Sequence, residues 1–297
     1  MDTLFETDFQ DLNLVKKGKV RDVYEVDEFL LFVATDRISA FDVIMNEPIP
    51  YKGLILSQIS AFWFNITNDI VKNHFITNNV DEYPNRCKDY RKELENRSML
   101  VKKCKPLPIE CIVRGYVAGS GWKEYKKNGT ICGEKIPEGL VEYSKLPIPI
   151  FTPSTKEESG HDINISYEKA IEICGFEVAS KLKNFSIDLY KFGADYLEQN
   201  GLILADTKFE FGLDENDEVI LIDEALTPDS SRFWLIEEYA PGKLQVNFDK
   251  QVLRDYLESC GWDKNPPPPK LPENVLRLTT EKYKEAYSRI LNKPIGK

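Results

Sequence analysis

The chain lacks the familiar phosphate-binding signatures. There is no GxxxxGK[ST], no GxGxxG behind a strand and no HRD or DFG set, which disfavours a P-loop NTPase, a Rossmann enzyme and an ordinary protein kinase. The six cysteines form no CxxC pair and no zinc spacing. The opening Met-Asp-Thr-Leu-Phe-Glu has neither a basic n-region nor an apolar h-region, so the expectation is a cytoplasmic protein with reduced thiols. No apolar run approaches the length of a bilayer span, and no internal repeat is visible. Positive charge is also in deficit. With 39 Lys and Arg against 49 Asp and Glu, the net charge of −10 has the wrong sign for broad binding to nucleic acid or anionic membrane. Any anionic ligand must be captured by a local cluster of donors. What is present is ordinary for a soluble globular protein, 42% hydrophobic and 30% charged, and 297 residues suffice for two lobes with sizeable cores.

The richest stretch is Leu202-Ile-Leu-Ala-Asp-Thr-Lys-Phe-Glu-Phe-Gly212, answered by Val219-Ile-Leu-Ile-Asp-Glu-Ala225. It reads as a β-hairpin. Alternate side chains share a face, so Asp206, Lys208 and Glu210 point one way while Thr207, Phe209 and Phe211 point inward. A tight, even-numbered turn at Asp214–Asp217 would set Lys208 opposite Asp223, with Glu210 diagonal to Asp223 on the same face. Two carboxylates and an ammonium would then converge. Mg²⁺ takes such a carboxylate pair when phosphate oxygens supply its other ligands, and a neighbouring Lys neutralises those phosphates. Charges on one strand face are commonly just the solvated side of a sheet. Against that stands the following Ala225-Leu-Thr-Pro-Asp-Ser-Ser-Arg232, rich in anion-binding groups.

Elsewhere, Lys16–Val26 and Phe29–Thr35 read as strands around a Gly-Lys turn, Leu54–Ile70 as a core helix, and Ser98–Cys104 as a returning strand. Lys105-Pro-Leu-Pro108 is a stiff connector between lobes, followed by a strand at Ile109–Val113. Pro147–Pro153 is extended, Tyr167–Gln199 is amphipathic helix broken near Gly175, and Pro266–Pro269 precedes a helical tail at Asn274–Asn292. The expected organisation is a β-rich lobe over 1–105, an α+β lobe over 106–240, and a helical extension over 241–297.

Three further loops could hold anions. In Gly18-Lys19-Val20-Arg21 a glycine admits phosphate close to the backbone and two side chains add charge, although a Gly in a basic turn is more often only a turn. Arg114-Gly-Tyr-Val-Ala-Gly-Ser-Gly121 could wrap an anion with amides and one guanidinium, and equally could be a plain connection. Thr152–Asn164 is too polar for a core; His161 within it is read as structural or solvated. With the segment after the hairpin, four anion-capable loops in one acidic protein are harder to dismiss than any one of them.

These segments carry a resemblance. Gly18–Tyr24, Asp36-Arg-Ile-Ser-Ala-Phe-Asp42, Ile109–Ser120, Phe151–Asp162, Leu204–Gly212 and Asp223–Arg232 run in order over nearly the whole chain. They closely resemble the SAICAR synthetase (phosphoribosylaminoimidazole-succinocarboxamide synthase) family of purine biosynthesis, in its longer monofunctional form. The resemblance implies a two-lobed α+β fold, distantly kinase- or ATP-grasp-like, with ATP between the lobes. It implies an ATP-dependent ligase that joins L-aspartate to the carboxylate of 5-amino-1-(5-phospho-D-ribosyl)imidazole-4-carboxylate (CAIR) through an acyl phosphate, releasing ADP and phosphate.

Site residues follow from the same resemblance. Gly18, Lys19 and Arg21 match the phosphate loop of the ATP site, and the backbone of Lys103 with the side chains of Leu107 and Glu110 its adenosine-binding connector. Glu210 and Asp223 match Mg²⁺ ligands, and Lys208 the residue beside the reacting carboxylate. Arg114, Ser120 and Arg232 match ribotide-binding positions, with Lys156 and Asp162 on a loop closing over the substrates. Asp42 matches a site aspartate whose partner is left open among metal, imidazole amine and aspartate. Gly115-Tyr116-Val117 departs from the Asn-Arg-Ala of shorter relatives. The implied partners are small molecules, with no nucleic acid or membrane, and a monomer is expected. A small-molecule kinase on the same scaffold, which needs no amine acceptor, is the alternative; a non-catalytic nucleotide sensor is a third reading.

Overall fold

In the computed structural model, which describes residues 3–156, 163–248 and 250–295, two antiparallel sheets carry the candidate residues. The first sheet has five strands in the order Asn13–Lys17, Arg21–Val26, Phe29–Ala34, Ser98–Lys102, Phe75–Thr77. Its apolar alternation works as the sequence suggests: Tyr24 and Val26 face inward from Arg21–Val26, together with Asp22. Against this sheet lies Lys52–Ile66, a helix so thoroughly buried that even Lys52 is inside. Helices with apolar residues on all sides belong in a core, and this one joins the same apolar cluster as Phe209, Phe233 and Tyr283.

The second sheet is built around Leu202–Leu213. Its path runs Lys145–Phe151, Ile109–Tyr116, Leu202–Leu213, Val219–Ile222, with Ser154–Thr155 added on Ile109–Tyr116. Lys105–Pro106 and Ser231–Leu235 pair with the central strand at its two ends. Twelve residues give that strand a length of about 40 Å. The two sheets meet beside it, where Asn73, just before Phe75–Thr77, bridges Leu221 and the amide of Leu221 donates to Lys72 O at 2.9 Å. Tyr167–Cys174 and Phe176–Gln199 are separate helices broken at Gly175, as the sequence suggests. The final helix, Glu273–Leu291, returns to pack on Lys52–Ile66 through the shared core. The fold is mixed α+β. Among the described residues no helix is long and apolar enough to cross a membrane.

The hairpin register differs from the expected one. Leu213 pairs with Val219 and Glu210 with Ile222, so five residues form the loop and its parity is odd. The side chain of Asp214 causes this: its Oδ1 accepts from the amides of Asn216 and Glu218, both at 2.9 Å, and wraps the chain into a wider loop than a two-residue turn. Continued as a strand, Asp223 would fall in register with Phe209 on the apolar face. It does not continue. Asp223 has a left-handed backbone, φ 68°, which ends the strand and turns its carboxylate back toward the first sheet.

Candidate functional site

Three side chains of the central strand organise the site, and the strand's two-residue period sets their spacing. Asp206, Lys208 and Glu210 alternate along one face in steps of about 7 Å. Asp206 lies almost fully buried between two arginines. Arg114 Nη1 donates to its Oδ2 at 3.0 Å, and Arg232 Nη1 reaches the same oxygen at 2.5 Å. Arg114 also donates from Nη2 to Ser120 Oγ at 2.9 Å and from Nε to Thr152 Oγ1 at 3.1 Å. Each nitrogen of this guanidinium thereby has one partner, and two N–H groups remain to donate. Gly119, at φ 55°, leaves room for Arg232, since a Cβ there would lie 2.5 Å from Arg232 Nη2. The three expected ribotide residues, Arg114, Ser120 and Arg232, thus form one cluster.

One step along the strand, Lys208 Nζ sits 2.5 Å from Glu110 Oε1 and 3.3 Å from Glu210 Oε1. Lys156 Nζ approaches the other oxygen of Glu210 at 2.8 Å. Burial would lower the Lys208 ammonium and raise the Glu210 carboxyl, but the opposite charges around each outweigh it. Lys208 is held well above the usual lysine range by Glu210, Glu110 and Asp223; Glu210 is held down at about 2, by Lys208 and Lys156 foremost. Both stay charged throughout the physiological range.

From the first sheet, Arg21 Nη2 reaches Asp223 Oδ2 at 2.7 Å and Glu224 Oε1 at 3.4 Å. Burial opposes its charge; Asp223 and Glu224 overcome that and raise it. Lys19 and Asp42 pair on the adjoining surface. A cavity of about 790 Å³ opens over the second sheet, and its walls include Asp42, Glu110, Arg114, Ser120, Lys208 and Arg232.

Two expected residues stand apart from this constellation. Lys103 turns its ammonium to Glu25 at 2.5 Å, and Leu107 is a buried core side chain; neither lines that cavity, whose walls also leave out Lys19, Arg21, Lys156, Glu210 and Asp223. Gly18 closes the turn before Arg21, its amide donating to Arg21 O at 2.7 Å. Asp162 and His161 lie outside the described residues. Gly115–Val117 are buried: Gly115 faces the Tyr190 hydroxyl, and Tyr116 packs on Trp234.

Sequence reasoning missed several participants. Asp206, which is not among the expected site residues, is held by both Arg114 and Arg232; the signal was its place two residues before Lys208 on that face. Asp229 and Lys250 also line the cavity and are joined at 3.1 Å, while the fully buried Lys52 reaches the same Asp229 oxygen at 2.8 Å and Tyr283 donates to the other at 2.5 Å. A lysine at the start of an apolar helix gives no sequence sign that it will be buried against a carboxylate.

The constellation suits a ligand with separated negative charges: a guanidinium pair at one end, a carboxylate–ammonium cluster at the other, both presented by one strand. Comparison with known proteins agrees. Residues 14–269 match the family described as SAICAR synthetase. A phosphoribosylaminoimidazole-succinocarboxamide synthase of Thermodesulfovibrio yellowstonii is 58% identical over 288 residues, covering 97% of this chain and 98% of the relative. A SAICAR synthase from Saccharomyces cerevisiae, solved in complex with SAICAR, superposes with a TM-score of 0.90 at 45% identity, covering 99% of this chain and 100% of that one. A SAICAR synthetase solved with ADP superposes at a TM-score of 0.69 and 27% identity, covering 95% and 99%. With a family match across most of its length and a relative this similar end to end, the chain belongs to the SAICAR synthetase family, ATP-dependent ligases of purine biosynthesis.

Proposed function

We propose that the chain joins the amine of L-aspartate to the carboxylate of CAIR, with ATP converted to ADP and phosphate through an acyl-phosphate intermediate. The observation that carries this reading is the spacing on Leu202–Leu213: Asp206 with its two arginines and Glu210 with its lysines lie about 13 Å apart, near the reach of a ribotide from its phosphate to its imidazole carboxylate. Arg114, Arg232 and Ser120 would hold the phosphate. Two forked guanidiniums already aimed by Asp206 offer bidentate donors with little left to order.

At the other end a free carboxylate is a poor electrophile, because oxide cannot leave. Transfer of the γ-phosphoryl group to a carboxylate oxygen turns that oxygen into part of a phosphate leaving group; the neutral amine of aspartate then attacks the carbonyl carbon, phosphate departs, and the amine loses a proton. Lys208 would sit beside this carboxylate and offset charge on the transferring group. Lys19 and Arg21 would hold the ATP phosphates, and Lys156 would contact substrate from its loop. Lys103 and Leu107 mark the segment where adenosine would lie, with Glu110 linking that segment to Lys208. Asp42, which pairs with Lys19, would orient it.

The residues fit Mg²⁺. Glu210 and Asp223 are hard oxygen donors converging on Arg21 and Lys208, and among the described residues no set of three or more His, Cys, Asp or Glu side chains gathers. Two carboxylates with the remaining positions left to phosphate and water are the usual protein share for this ion. Glu210 and Asp223 would hold it, and when bound it would neutralise phosphate charge. The test is ADP release from ATP and CAIR with and without aspartate: coupled ADP and amide formation is expected. Rapid ADP formation without aspartate, and no amide when it is added, would replace the ligase with a kinase.

A further inference from the structure

The segment Asp36–Asp42 is explained only at its last residue by the site above. Its second residue, Arg37, is almost wholly buried, and its fork is spent on backbone. Nε donates to Lys19 O at 3.2 Å, Nη2 to Gly18 O at 3.0 Å and Nη1 to Phe5 O at 2.6 Å. Asp22, also buried, balances the charge at 2.6 Å from Nη2. The next carbonyl, that of Val20, accepts from both the amide and the hydroxyl of Thr35, at 3.0 and 2.8 Å. Three consecutive carbonyls of the Gly18–Val20 turn are therefore drawn back onto residues 35–37.

Peptide planarity gives this a consequence. In a trans peptide the C=O and N–H of one unit point in opposite directions, so fixing the Gly18 and Lys19 oxygens toward Arg37 aims the amides of Lys19 and Val20 away from it. Neither amide donates to another backbone group among the described residues. Lys19 itself is exposed, so these amides emerge on the surface beside its ammonium. Successive outward amides make an anion-receiving concavity, whereas outward carbonyls would repel phosphate. The turn tolerates little else: a Cβ on Gly18 would fall 2.7 Å from Arg21 O.

We propose that Arg37 is a positioning residue for the nucleotide phosphates, holding the Gly18 and Lys19 carbonyls behind the turn so that the Lys19 and Val20 amides bind a di- or triphosphate. This rests on the placement of ATP phosphates at Lys19 and Arg21 given above. Only guanidinium has donors enough to hold three carbonyls and a carboxylate at once; an ammonium has three, without the fork.

The experiment compares binding of ADP and adenosine by calorimetry for the full chain, Arg37→Lys and Lys19→Ala. Arg37→Lys is expected to weaken ADP by about tenfold or more, the size of one lost charge-assisted contact, while adenosine stays within about twofold. Unchanged ADP affinity, or equal loss for ADP and adenosine, would overturn the proposal, because a merely structural role does not distinguish the two ligands. The wild-type chain supplies a second measurement that decides the matter even if the variant fails to fold: the Lys19 and Val20 amide resonances should shift with ADP and not with adenosine. Silent amides overturn the proposal. Lys19→Ala separates the two levels. If it weakens ADP while Arg37→Lys and the amides do nothing, only the role of Arg37 falls; if it too leaves ADP unaffected, the nucleotide placement at this loop is wrong.

Discussion

Replacing Glu210 by Gln, or Asp223 by Asn, keeps the shape of each side chain and removes one negative charge from the junction of the two sheets. For Glu210 the structure sets the scale. Its carboxyl is held at about 2 against an ordinary 4.5, despite burial that pushes the other way, because Lys208, Lys156 and Arg21 surround it. That difference is worth about 3 kcal/mol of preference for the charged form at neutral pH, the upper bound on what the amide forfeits in stability. In a chain of this size it amounts to a fall in melting temperature of about 5–10 °C. If these carboxylates hold Mg²⁺ as proposed, turnover should fall much further, by about a hundredfold or more, because the lost contact acts on the transition state. The assay is initial-rate ADP release across a Mg²⁺ titration, with melting curves on the same samples. Asp206→Asn is the contrast, because its partners are Arg114 and Arg232 and its effect should appear in ribotide KM and stability without moving the Mg²⁺ dependence. Near-normal kcat at saturating Mg²⁺ in both carboxylate variants, or an equal shift of Mg²⁺ dependence in Asp206→Asn, would refute the reasoning.

Arg232→Lys keeps the charge and loses the fork, so ribotide KM should rise by about tenfold while ATP KM changes little; a rise in ATP KM instead would put this arginine elsewhere. Gly119→Ala strains a backbone at φ 55° and drives a methyl against Arg232, so it should mimic Arg232→Lys in steady-state kinetics, whereas an Ala variant with unaltered ribotide KM would show that Arg232 need not approach so closely. His74 is buried between Phe32 and Phe64, and burial above all pushes its imidazole down to about 3. The unfolded chain takes up a proton below about 6.5 while the buried ring resists, so wild-type stability should decline as pH falls from about 6.5 toward 3, and His74→Phe should flatten that decline in melting curves. Glu210 adds a second, lower window: its contribution is whole above about 4.5 and lost as pH falls through about 2, so the stability gap between wild type and Glu210→Gln should close over that range.

Much of the molecule was legible one residue at a time. Period-2 alternation marked Leu202–Leu213 with Phe209 and Phe211 inward, an apolar run marked the long core helix, and the break at Gly175 separated two helices, all because local pattern decides which face of an element is buried. Motif resemblance named Arg114, Ser120 and Arg232 as companions, and the fold brings them to one place. The hairpin register was not legible, since the Asp214 side chain chose a five-residue loop and a left-handed Asp223 then restored to the site a carboxylate that strand geometry alone would have turned away. Nor could the sequence rank its charges. Nothing local marks Asp206, Lys52 or Arg37 as a charge that leaves water, yet each is buried against a partner from another segment. Composition and periodicity fix which surfaces must leave water; which buried charge meets which is decided only when remote segments pack, because desolvating an ion is tolerable only beside the partner that tertiary structure supplies.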